Sequence, residues 1–139
     1  MKILLINPHD DTYQHGASAF KRRMSYYALT LPTLAALVPE GMAADVKIVD
    51  EGVEDFDGFG DADLVGITAV TPSAFRAYEL ADQARELGIP VVLGGPHPTL
   101  MPDEAAKHAD SVVLGYAEES WPRLLADFTA GNMRPLYPQ

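Results

Sequence analysis

Five short apolar runs, each closed by turn formers and separated by helix-like stretches, restrict this chain to a layered α/β arrangement. They occupy residues 2–6, 45–49, 64–68, 91–93 and 111–114. Val, Ile and Leu dominate them without polar alternation, the pattern of strands covered on both faces of a parallel sheet. The stretches between them read as helices. One is expected to open with Thr30 as its cap and Pro32 near its start, running through Leu34, Leu37 and Val38 until Gly41 ends it. A second is expected to open with the Thr71 hydroxyl as cap and Pro72 where no donor is needed. Its apolar stripe is Ala77, Leu80, Ala81, Ala84 and Leu87, and Gly88 and Pro90 stop it. A short helix follows Pro102. The last opens with Glu118 and Glu119 at its positive end and buries Trp121, Leu124, Leu125 and Phe128. Residues 51–63, rich in acids and glycine, suggest a loop or one helical turn. Strands alternating with helices imply right-handed βαβ units. The expected fold is therefore Rossmann-like: a five-stranded parallel sheet in flavodoxin-like order, with helices on both faces.

Composition narrows the function. A chain of 139 residues is one domain's worth. Residues 1–131 read as the folded unit, and 132–139, with Pro135 and Pro138, as a linker or exit segment. The formal net charge of −10 repels phosphate backbones and anionic membrane surfaces, and Lys21, Arg22 and Arg23 are too few to make a basic patch. The absence of cysteine excludes disulfides, thiolate zinc sites, cysteine nucleophiles and any iron–sulfur cluster held by this chain alone. It fits a reducing cytoplasm. Residues 1–6 run straight into Asn7-Pro8 and read as a strand rather than a leader. No run approaches the roughly 20 apolar residues of a membrane span.

In an open parallel sheet, ligands sit beyond the carboxyl ends of the strands. That rule selects the loops 7–19, 68–73, 94–99 and 115–119. The first is long and polar, with His9, Asp10, Asp11 and His15. It lacks Gly-x-Gly-x-x-Gly and the Gly-Lys-Ser/Thr end of a phosphate loop. His9 and His15 are candidate metal ligands, whereas Asp10 and Asp11 read as solvated loop acids. The second offers Thr68, Thr71 and Ser73 beside a helix start. The third, Gly94-Gly95-Pro96-His97-Pro98, puts two glycines directly after a strand, where a large flat ligand can lie against bare backbone. The fourth, Gly115-Tyr116-Ala117-Glu118-Glu119, again joins a glycine to a helix start. His108 reads as an exposed residue of a short helix, and Trp121 as core. Neither a Ser/His/Asp triad nor a pair of carboxylates emerges from the spacing, so the chain alone does not read as an enzyme.

Taken together, three segments resemble the amino-terminal cobalamin-binding domain of the B12-dependent radical SAM enzymes, over nearly the whole chain. They are Lys2-Ile3-Leu4-Leu5-Ile6-Asn7-Pro8, Asp63-Leu64-Val65-Gly66-Ile67-Thr68 and, above all, Ile89-Pro90-Val91-Val92-Leu93-Gly94-Gly95-Pro96-His97-Pro98-Thr99. The stretch from Ala109 to Pro122, with Gly115-Tyr116-Ala117-Glu118-Glu119 and Trp121, resembles that family's Asp-x-Val-Val-x-Gly-Glu-Gly-Glu-x-x-Trp segment. The resemblance implies a domain that lays the corrin ring over the strand ends and takes the nucleotide tail into a cleft beside the glycine pair. It implies tail contacts from Gly94, Gly95, Pro96 and His97, and from Thr68, Val70, Thr71 and Ser73. Gly115, Tyr116, Ala117 and Glu118 would line the other side, with Asn7, Pro8 and His9 toward the lower face of the ring.

The resemblance further implies a radical SAM catalytic domain, in cis or in trans, of methyltransferase or cyclase type. That domain would carry the 4Fe-4S cluster and S-adenosylmethionine. Two departures stand out. The Asp-x-His-x-x-Gly motif that supplies a cobalt ligand in many B12 proteins is missing, since Asp11 to Gly16 has the wrong spacing. Tyr116-Ala117 also replaces Glu-Gly. The rival readings are a flavin- or nucleotide-binding flavodoxin-like protein and a receiver-like signalling domain. The first wants a Ser/Thr-rich loop after the first strand, where only Thr12 and Ser18 occur. The second wants an Asp ending the third strand and a Lys after the fifth, where Thr68 and Gly115 stand.

Overall fold

A computed structural model describes residues 1–10 and 29–139. The strands are β1 (Lys2–Asn7), β2 (Asp45–Asp50), β3 (Leu64–Thr68), β4 (Val91–Gly94), β5 (Ser111–Val113) and β6 (Leu136–Tyr137). The helices are α1 (Thr30–Ala36), α2 (Ala74–Glu86), α3 (Pro96–Leu100), α4 (Pro102–Ala105) and α5 (Ser120–Thr129), with a 3-10 turn at Thr71–Ser73. All strands are parallel, in the order β2-β1-β3-β4-β5-β6. The order reverses between β1 and β3, and that switch point opens at the carboxyl edge. None of the described helices is long and apolar enough to cross a membrane.

The Rossmann-like fold read from the sequence is the fold observed, with one strand more than the five expected. Residues 136–137 pair with β5, although prolines flank them. The prolines are tolerated because this edge strand uses carbonyls: Val112 N–H donates to Pro135 O at 3.0 Å and Leu114 N–H to Tyr137 O at 2.9 Å. Tyr137 is 1% exposed, and its hydroxyl donates to Asp127.

Two helix starts differ from expectation. Thr30 is the first residue of α1, without a side-chain cap. Thr71 does not cap α2 either. Its hydroxyl meets His97, and Ser73 closes the turn instead by bonding Val70 N–H and Val70 O.

Alternation within the strands sends side chains to two separate cores. On one face Leu4, Ile6, Val65, Ile67, Val91 and Leu93 pack under α2, whose Ala77, Leu80, Ala81 and Ala84 are fully buried. Alanines at these positions let the helix backbone approach the sheet. On the other face Ile3, Leu5, Leu64, Val92 and Val113 pack against Leu31 of α1 and Trp121, Leu124 and Leu125 of α5. Residues 51–63 form turns and loop rather than a helix.

Candidate functional site

A cleft of about 530 Å³ opens on the α1/α5 face at the carboxyl ends of β3, β4 and β5. Such a volume suits a small-molecule site. Alternation explains its floor. The cleft-side positions are Leu64, Gly66 and Thr68 on β3, Val92 and Gly94 on β4, and Val113 followed by Gly115 on β5. Toward the carboxyl edge, large residues therefore give way to small ones. The walls are apolar, from Leu34 and Leu37 of α1 and Trp121 of α5, while threonines 30, 33, 68 and 99 and Glu118 bring polar groups to the edge.

The glycines of this site serve different ends. A β-carbon on Gly66 would stand 2.9 Å from Leu5 Cδ2 and 3.5 Å from Trp121 Cη2, so its space is already used by the core. Gly95 has φ +97°, and a β-carbon there would come within 2.8 Å of Thr68 Oγ1 and 2.9 Å of Ala69 O. Only glycine allows this close crossing of two turns. At Gly115 the Gln139 side chain fills the corresponding space. Gly94 alone of the four opens toward the cleft, a β-carbon there meeting only Val113, at 3.7 Å or more.

Hydrogen bonds stitch the turns together. Ala69 N–H donates to Gly94 O at 2.9 Å, and His97 N–H donates to Ala69 O at 3.0 Å. Thr99 Oγ1 donates to Gly95 O at 2.8 Å and accepts from Gly115 N–H at 3.0 Å.

Of the residues singled out from the sequence, the structure brings together Thr68, Gly94, Gly95, Pro96, Gly115, Tyr116, Ala117 and Glu118 along the cleft. It places Val70, Thr71, Ser73 and His97 behind it. Val70 is half exposed, Ser73 is buried in its turn, and His97 is buried against Thr71, Tyr78 and Glu104. Asn7, Pro8 and His9 lie at the end of β1, outside the cleft lining. Asn7 Nδ2 donates to Asp50 Oδ1, and His9 meets Glu51. His15, with Asp11, Thr12 and Ser18, falls outside the described residues. His108, read as simply exposed, instead stacks on Tyr78 at 4.3 Å and bonds Asp82 at 2.9 Å. Leu29, Thr30, Thr33, Leu34, Leu37, Gly66, Val92, Thr99, Val113 and Trp121 also line the cleft. Splitting each apolar run into its two faces would have found Gly66, Val92 and Val113. The α1 residues carry no such signal, because their place depends on how that helix packs. Among the described residues no group of three or more His, Asp or Glu is arranged to hold a metal.

Beside the switch point, Glu51 is nearly buried, its side chain 5% exposed. Its Oε1 accepts from Arg76 Nη2 at 2.6 Å, and its Oε2 from His9 N–H at 3.1 Å. Burial pushes the carboxyl up, but the Arg76 and His9 hydrogen bonds outweigh it and hold the value below the ordinary 4.5. A depressed folded-state value stabilises the fold above pH 4.5, and that stability drains away as the pH falls toward the folded value. Glu51→Gln is therefore expected to melt below wild type at neutral pH, with the two curves converging in acid. Melting temperatures measured from pH 7 to 3 check this, and parallel curves would contradict it.

The B12 binding domain family model matches residues 24–125. The bacteriochlorophyllide d C-8(2)-methyltransferase of Chlorobaculum tepidum is 41% identical over 112 residues, covering 80% of this chain and 24% of that protein. The C-12(1)-methyltransferase of the same organism is 34% identical over 136 residues, 98% of this chain and 29% of the relative. The anaerobic magnesium-protoporphyrin IX monomethyl ester cyclase of Rubrivivax gelatinosus is 30% identical over 132 residues, 86% and 23%. The chain thus spans less than a third of the length of each of these relatives. With most of its length matched by the family model, on a parallel sheet whose carboxyl edge opens into a cleft, this chain belongs to the B12-binding domain family.

Proposed function

We propose that this chain binds cobalamin at the carboxyl edge of its sheet, as the cofactor-binding module of a larger B12-dependent radical SAM enzyme of methyltransferase or cyclase type. The observation that carries the reading is Gly94. It leaves bare backbone facing an apolar cleft at the carboxyl edge of the sheet, in a chain of the B12-binding family. The residues fit the group. A corrinoid is larger than a 530 Å³ cleft, so the cleft takes the nucleotide tail while the ring spreads over the strand ends. Thr68, Gly94, Gly95, Gly115, Tyr116, Ala117 and Glu118 would hold the tail, with Asn7, Pro8 and His9 toward the lower face of the ring. Bound cobalt supplies methyl-transfer or radical-modulating chemistry. The chain's own part is to grip, orient and keep water from the tail.

The named relatives act on chlorophyll-type tetrapyrroles and are three to four times longer. In this reading a catalytic domain, in cis or in trans, carries the 4Fe-4S cluster and S-adenosylmethionine and covers the open side of the cleft. Exposed Leu29 and Tyr116 on the cleft lining suit such a cover. The test is to incubate the purified chain with hydroxocobalamin, desalt it and record the visible spectrum of the protein fraction. Near-stoichiometric corrinoid is expected. A corrinoid-free fraction, with flavin mononucleotide retained in a parallel run, would overturn the reading in favour of a flavodoxin-like protein.

A further inference from the structure

The cleft wall beyond β5 is held by hydrogen bonds rather than by burial. Gly115, Tyr116 and Glu118 line the cleft, yet all three are exposed, Tyr116 by 73%. The wall is fixed at its two ends. Gly115 N–H donates to Thr99 Oγ1 at 3.0 Å, and Trp121 N–H at the start of α5 donates to Ala117 O at 2.8 Å. Between those points Tyr116 N–H donates to Gln139 Oε1 at 3.4 Å.

The segment that brings Gln139 there is anchored in the core. Tyr137 is 1% exposed, its hydroxyl donates to Asp127 Oδ2 at 2.8 Å, and the same oxygen accepts Arg134 N–H at 3.0 Å. Tyr137 stands opposite Val113 on the cleft face of the sheet. Side chains two residues apart leave an extended chain on one face, so Gln139 emerges opposite Gly115. A β-carbon on Gly115 would lie 3.1 Å from Gln139 Cβ and 3.3 Å from its Cδ. The Gln139 side chain therefore lies against the bare Gly115 backbone while its oxygen holds the next amide. An exposed wall without such a support opens easily, and a ligand that closes on it must first order it.

We propose that Gln139 is a positioning residue for the cleft: it fixes the Gly115–Tyr116 wall in its binding shape, so the segment after β6 is part of the site rather than a spacer leading away from it. The inference rests on the cobalamin reading. Gln139 acts through the wall and not by touching the ligand.

Two substitutions separate the hydrogen bond from the covering side chain. Gln139→Met keeps an unbranched side chain over Gly115 but loses the amide oxygen. Gln139→Ala loses both. Gln139 is exposed and lies beyond the last ladder bond, Leu114 N–H to Tyr137 O, so both variants are expected to melt with wild type. Q139M is expected to lose hydroxocobalamin affinity about five- to tenfold, the scale of one hydrogen bond, and Q139A more. Affinities of both variants equal to wild type would overturn the inference while leaving cobalamin binding intact. A melting temperature that falls in step with affinity would also overturn it, since Gln139 would then only support the fold. Amide hydrogen exchange of the ligand-free 139-residue chain gives a readout independent of any ligand. The Tyr116 amide is expected to exchange faster in both variants than in wild type. Equal exchange in all three would overturn the proposal whatever the chain binds. Failure of wild type itself to retain corrinoid would instead sink the cobalamin reading, with exchange at Tyr116 still deciding whether Gln139 holds the wall.

Discussion

Gly94→Val is expected to abolish cobalamin retention while leaving the fold almost as stable as wild type. The β-carbon would meet Val113 at 3.7 Å, an ordinary contact, and valine suits a strand end. Its methyl groups would project into the space assigned to the tail. An affinity loss of at least about a hundredfold, some 2.8 kcal/mol, follows if the ligand cannot move aside. The neighbouring Gly95→Val should behave differently. At φ +97°, with Thr68 and Ala69 within 3.0 Å of any β-carbon, the substitution strains the backbone and pries two turns apart. Backbone strain alone costs about 1–3 kcal/mol, so this variant loses stability as well as ligand. Visible spectra after desalting and thermal melts of both variants check the contrast. Full corrinoid retention by Gly94→Val would move the tail out of this cleft.

Trp121→Ala is expected to have the largest effect on stability. The indole is 2% exposed, lies over Gly66 and donates from Nε1 to Leu34 O at 3.0 Å, joining α5 to α1 across one core. Removing it leaves a large cavity and frees a carbonyl, a loss of about 3–5 kcal/mol. For a domain of this size the melting temperature should fall by roughly 10–20 °C. Trp121→Phe keeps most of the packing and loses the hydrogen bond, so its cost should be a fraction of that. Calorimetry on the three proteins tests the division. If alanine and phenylalanine variants melted together, the hydrogen bond rather than the packing would be what matters. Because Trp121 also walls the cleft, the alanine variant should bind cobalamin more weakly even where it remains folded.

Most of the architecture was legible because buried parallel strands leave a strong local signature. The runs 64–68 and 91–93 were strands as read, the second extending one residue further to Gly94, and Gly95 and Gly115 came to the cleft edge. What escaped had no local signature of its own. Residues 136–137 sit between prolines and look like linker until β5 supplies donors to their carbonyls. His97, between two prolines beside the expected ligand, looked like a contact, yet its ring turns back under α2 to Tyr78 and Glu104. Thr71 looked like a helix cap, yet its hydroxyl lies against His97 Nδ1 instead.

The sequence alone determined the layered parallel sheet, its switch point and the edge where a ligand belongs, since hydrophobic periodicity and turn chemistry act over a few residues at a time. Only the tertiary structure decided which glycine makes room for a ligand and which makes room for the protein itself. Gly66, Gly95 and Gly115 are filled by Leu5 and Trp121, by Thr68 and Ala69, and by Gln139, neighbours distant in sequence or folded back across a turn. The space beside an α-carbon belongs to whatever the fold packs against it, and no local pattern records that.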